Sequence, residues 1–121
     1  MTSPFTSSGP GPGPVPVPVT FTHRDGAMDT GTEAGLPALL AELDGPRDDE
    51  HPDVSVTDDD SGWTVSAFPG GTLVLENLEH PDPRPRHLPG VTREEALRVL
   101  TLLVRGDLTA LRRLDWLPGY G

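Results

Sequence analysis

The chain has 121 residues, with 19 acidic against 9 basic side chains and a formal net charge of −10 at pH 7. That length holds one modest domain, and the negative charge argues against nucleic acid or an anionic membrane as a partner. Cysteine is absent, which excludes disulfides, thiol nucleophiles and thiolate metal sites.

All 9 basic residues are arginine, and isoleucine and glutamine are missing as well. This bias follows GC-rich codons and points to an actinobacterial type of genome, not to an activity. No apolar stretch is long enough to span a membrane. The first residues carry neither a basic segment nor an apolar leader, so a cytoplasmic protein is expected.

Residues 1–14 (MTSPFTSSGPGPGP) are rich in Pro, Gly, Ser and Thr. They cannot supply a core and are expected to be a disordered tail, leaving residues 15–121 as a single domain. Val15, Val17, Val19 and Phe21 alternate with Pro16, Pro18, Thr20 and Thr22, the period of a strand. Prolines cannot donate to a ladder, so the paired part is expected over Val19 to His23. Asp25-Gly26 then signals a hairpin turn, with a return strand over Ala27 to Thr30.

Leu36, Leu39, Leu40 and Leu43 form one helical stripe, with Pro37 in the first turn and Gly45-Pro46 as the stop. Three short alternating runs follow: Val54/Val56, Trp63/Val65/Ala67 and Leu73/Leu75/Asn77. The turns between them, DDDSG and Pro69-Gly70-Gly71, make an antiparallel meander. Residues 79–90 carry four prolines and read as an extended loop. Thr92 and Glu95 form a capping box before a helix bearing Ala96, Leu97, Leu100, Leu103 and Val104. Gly106 closes it, and Asp107 caps a shorter helix with Leu108, Leu111 and Leu114. The ending DWLPGYG is expected to pack back on the domain. The sum is an α+β fold: a hairpin and a three-strand meander in an antiparallel sheet, with a short helix and a C-terminal helical pair on one face.

The charge is uneven. Residues 1–62 hold 12 acids and 2 arginines, whereas residues 63–121 hold 7 of each. Eight of those acids fall between Asp44 and Asp60. A strand over 53–57 would separate Asp48, Asp49 and Glu50 from Asp58, Asp59 and Asp60 by roughly 15 Å. That exceeds the screening length of about 8 Å at physiological salt, so two acidic loops are expected, not one patch. Each suits a basic protein partner or serves solubility alone. A calcium loop is not expected: counted from Asp58, the fifth position is Gly62 and the twelfth Pro69.

No nucleophile elbow, phosphate-cradling glycine loop or acid–base pair stands out. His80, His87, Arg84 and Arg86 lie in the proline-rich loop, a set from which a small metal- or phosphate-handling enzyme could be built. Trp63 and Trp116 either anchor an interface or fill a core short of aromatics.

The segments LPALLAELDGP (36–46), SGWTVSAFPGG (61–71), Glu76–Leu78, Arg86–Leu88 and the block from Val91 to GDLTALRRLDWLPGYG resemble a family of small Streptomyces-type actinobacterial proteins. Over residues 36–116 the layout is also similar to polymorphic-toxin immunity proteins, which share a strand meander, a late helix and a tryptophan near the C-terminus. This resemblance implies a non-enzymatic protein-binding module that inhibits a cognate effector. Asp58, Asp59, Asp60, Trp63 and Trp116 are the expected contact residues, and a basic protein is the expected partner. No catalytic residue, metal, cofactor, nucleic acid or membrane enters this reading. The alternatives are the small enzyme of the 80–87 loop and a structural or regulatory domain.

Overall fold

The computed structural model describes residues 19–45, 52–80 and 84–120. The segment expected to be a disordered tail (residues 1–14), Pro16 and Pro18, and the acidic residues Asp48, Asp49 and Glu50 lie outside the described residues.

The fold is α+β. Its strands are β1 (Val19–Thr22), β2 (Met28–Gly31), β3 (Val54–Asp58), β4 (Trp63–Ala67), β5 (Leu73–Asn77), β6 (Arg86–Leu88) and β7 (Leu117–Pro118). They form one seven-stranded antiparallel sheet in the order β2-β1-β3-β4-β5-β6-β7. The expected hairpin is β1–β2 and the expected meander β3–β4–β5. Pairing of β1 with β3 welds the two into one sheet.

Two strands were not expected. Residues 79–90 do not run wholly as a loop, because Arg86–Leu88 pairs with β5. The C-terminal Leu117–Pro118 pairs in turn with β6. Both extend the sheet beyond β5, and β7 ends it as an edge strand, where Pro118 is tolerated.

Side chains alternate between the two faces of a sheet. One cross-strand row, Phe21–Val56–Val65–Leu75, is buried on the covered face. The opposite face carries hydroxyls: Thr20–Thr57–Thr64 in one row and Thr22–Ser55–Ser66 in the next. Thr57 and Thr64 share a hydrogen bond of 2.9 Å there.

The helices supply the other half of the core. In α1 (Leu36–Ala41) Leu36, Leu39 and Leu40 are buried, and Pro37 sits where a missing N–H does no harm. α2 (Arg93–Val104) begins with the expected capping box between Thr92 and Glu95. It buries Ala96, Val99, Leu100, Leu103 and Val104 and packs on β3, β4 and α1. Asp107 caps α3 (Leu108–Arg112) by accepting from the Ala110 N–H. All three helices contribute to one hydrophobic cluster with the strands. Each fully buried leucine stabilises the fold by about 2 kcal/mol. Among the described residues, no helix is long and apolar enough to cross a membrane.

Candidate functional site

The β3–β4 turn holds three of the expected contact residues, and their environments differ. Asp58 continues the alternation of Val54 and Val56, so it points to the covered face and is only 2% exposed. Its Oδ1 accepts from the Asp60 N–H at 3.0 Å, and its carbonyl accepts from the Gly62 N–H at 2.7 Å. Asp58 therefore shapes the turn. Asp59 and Asp60 are exposed at its tip, and Asp59 accepts from the Thr20 hydroxyl at 2.8 Å.

Gly62 closes the turn at φ +82°, a conformation that disfavours a side chain. A Cβ there would also lie 2.8 Å from Asn77 Oδ1 and 2.9 Å from Glu79 Cγ. The crowding shows how closely the end of β5 packs on the turn. Leu78 N–H donates to the Gly62 carbonyl at 2.9 Å, and Asn77 Nδ2 donates to the Ser61 carbonyl at 3.0 Å. These bonds tie the exposed Leu78 (63%), and Glu79 after it, to the turn whose tip carries the exposed Asp59 and Asp60. None of these three carboxylates forms an ion pair with a cation of the described residues.

Trp63 and Trp116 are each 9% exposed and belong to the core. Both bear on α3. The Arg112 guanidinium lies 5.1 Å from the Trp63 ring centroid, within cation–π reach. Trp116 Nε1–H donates to the Leu111 carbonyl at 2.8 Å. The structure thus gathers Asp58, Asp59, Asp60 and Trp63 at one end of the sheet, while Trp116 reaches the same helix from the C-terminal edge.

The loop set His80, His87, Arg84 and Arg86 divides. Arg84 and Arg86 line one cleft with Pro85, Trp116, Pro118, Gly119 and Tyr120. His87 points to the other face of β6, with Nδ1 3.1 Å from the Gly119 carbonyl oxygen. The His80 N–H donates to Asn77 Oδ1, which ties that residue to the end of β5. No group of three or more His, Asp or Glu side chains among the described residues is arranged to hold a metal ion.

A denser cluster sits at the opposite edge. His23 Nδ1 contacts Glu42 at 2.5 Å and Nε2 contacts Asp29 at 3.0 Å. Hydrogen bonding to Glu42 first, and to Asp29 second, raises the His23 pKa above its ordinary value. The Arg105 and Arg93 guanidiniums hold the Glu33 and Asp44 carboxyls below the ordinary range through hydrogen bonds. On the far edge, the nearby charge of Glu76 raises the Tyr120 phenol, which keeps it a hydrogen-bond donor.

Sequence reasoning passed over Leu78 and Glu79. The available signal was their place after the last alternating residue of β5, beside the turn glycine. Comparisons of the chain with protein-family models, curated proteins and solved structures find no match.

Proposed function

We propose that the protein is a non-enzymatic binding module of the immunity type, an inhibitor that captures a basic effector protein in the cytoplasm. The observation that carries this reading is the exposed Leu78, followed by Glu79 and hydrogen-bonded to Gly62 of the turn that exposes Asp59 and Asp60. An apolar residue rimmed by charge is the usual anatomy of a protein contact. Carboxylates without an internal counterion attract a basic surface and speed its encounter. The hydrogen bonds from the Leu78 N–H to the Gly62 carbonyl and from Asn77 Nδ2 to the Ser61 carbonyl hold the rim in place before binding, which limits the entropy lost on association. Trp63 and Trp116 act in this reading by holding α3 and the sheet edge behind the contact surface. The resemblance to toxin-immunity proteins agrees with such a role.

Affinity capture from an actinobacterial lysate tests it. Wild-type protein should retain a basic protein at low salt and release it as salt rises. The Asp59→Asn/Asp60→Asn/Leu78→Ala variant should retain none. Retention of the same proteins by both baits contradicts the proposal.

A further inference from the structure

The cleft at the C-terminal edge has a chemistry opposite to the rest of the molecule. The sequence Arg84-Pro85-Arg86 is extended, as a residue preceding proline prefers. Two residues of extended chain separate the arginine Cα atoms by about 7 Å, and the alternation sends both side chains to one side. Both line a cleft of 660 Å³, within the range of small-molecule sites, about 300–1,000 Å³. Its partners come from the other arm of the β6–β7 pair: Trp116, Pro118, Gly119 and Tyr120. The Gly119 N–H donates to the Pro85 carbonyl at 3.0 Å and fixes the two arms together. The Trp116 ring is buried and held by its Nε1–H bond to Leu111. Tyr120 stands on the rim, 65% exposed.

Neither arginine has an ion-pair partner among the described residues, in a chain with twice as many acids as bases. Two like charges side by side are unfavourable, and guanidinium forks bind carboxylate and phosphate with matched geometry. Among the residues that line the cleft there is no carboxylate; the charge of Glu76 reaches the Tyr120 hydroxyl at the rim.

We infer that this cleft is a binding site for a small organic anion bearing a planar ring. Arg84 and Arg86 hold its carboxylate or phosphate, and Trp116 and Tyr120 lie against its ring. The site is separate from the acidic turn and stands whether or not that turn binds a protein.

The test is a titration followed by amide and indole N–H chemical shifts, with phenyl phosphate, benzoate and the neutral benzyl alcohol as probes. The Trp116 indole and Gly119 amide should shift saturably with at least one anion, at a Kd of about 1 mM or tighter. The Trp63 indole should stay unmoved and serve as internal control. Which of the two anions binds more tightly distinguishes a phosphate from a carboxylate ligand. Arg84→Gln/Arg86→Gln should weaken binding about tenfold or more, whereas Arg98→Gln/Arg113→Gln, with the same change in net charge, should leave it unaltered. The proposal is overturned if neither anion saturates, if benzyl alcohol binds as well, if Trp63 responds equally, or if both double variants bind alike. The wild-type titration decides the matter even where a variant fails to fold.

Discussion

At the α1 side of the molecule, opposite charges meet; at the β3–β4 and β6–β7 end, like charges stand together. On the first side Arg105 pairs with Glu33 at 2.7 Å, Arg93 with Asp44 at 2.9 Å, and His23 lies between Glu42 and Asp29. All but the His23–Asp29 contact, which lies within the hairpin, link residues far apart in sequence and orient α1 against α2 and the β1–β2 hairpin. The two arginine pairs are exposed, add little stability each and act mainly on geometry, whereas His23 and Glu42 are half-buried. On the second side the exposed Asp59, Asp60 and Glu79 pair with no cation among the described residues, and Arg84 and the half-buried Arg86 with no anion among them. The same residue types therefore serve the fold in one region and remain available to partners in the other. Net charge, a sum over both, hides the difference.

The sharpest perturbation strikes the element that backs both unpaired groups. Leu111 is fully buried on α3, between the Arg112–Trp63 contact and the Trp116–Leu111 hydrogen bond. Leu111→Ala should destabilise by about 2–5 kcal/mol in urea unfolding, through lost burial and the cavity left behind. It should loosen the C-terminal edge before the paired α1 side, seen as faster amide exchange at Gly119 than at His23.

A smaller effect is expected at the acidic turn. Gly62→Ala forces a side chain into positive φ and against Asn77 and Glu79, and should cost about 1–3 kcal/mol in the same assay. Leu78 would shift with it, so capture of the basic partner should fall more than stability does.

The paired side should reveal itself through pH. The folded-state pKa of His23 lies above the ordinary 6.5. Its contribution is therefore fully present below that value and is lost as pH rises through the raised pKa. His23→Gln should remove this alkaline loss from the stability profile. For Glu33 and Asp44 the sign reverses: their pKa values are lowered. Their contribution is present above the ordinary carboxylate range and fades as pH falls through the lowered values.

Much of this architecture is legible in the sequence because it is periodic. The leucine stripe of α1, the capping box of α2 and the alternation of β3, β4 and β5 each repeat often enough to be counted. β6 and β7 are not: they have three and two residues, lie among prolines, and are defined by their pairing, β6 with β5 across the proline-rich segment and β7 with β6 from the far C-terminus. The site is less legible for a related reason. Asp58 belongs to the acidic run by type but to the covered face by position, and extending the Val54–Val56 period by one step would have placed it there. Leu78 has no period to reveal it, since its exposure arises from the end of a strand meeting a turn. Arg84 and Arg86 are visible as a pair, but Trp116 and Tyr120 join them only through the β6–β7 ladder.

In the proposed reading, unpaired acids at the β3–β4 end bind a partner, whereas paired acids at the α1 side orient the helices. Affinity capture with two variants of equal charge tests it directly. Asp59→Asn/Asp60→Asn and Glu33→Gln/Asp44→Asn each remove two negative charges. The first should lose the basic partner with its unfolding midpoint unchanged, and the second should keep it. Equal loss by both would reduce the effect to net charge, and equal retention would place the contact elsewhere; either result contradicts the account.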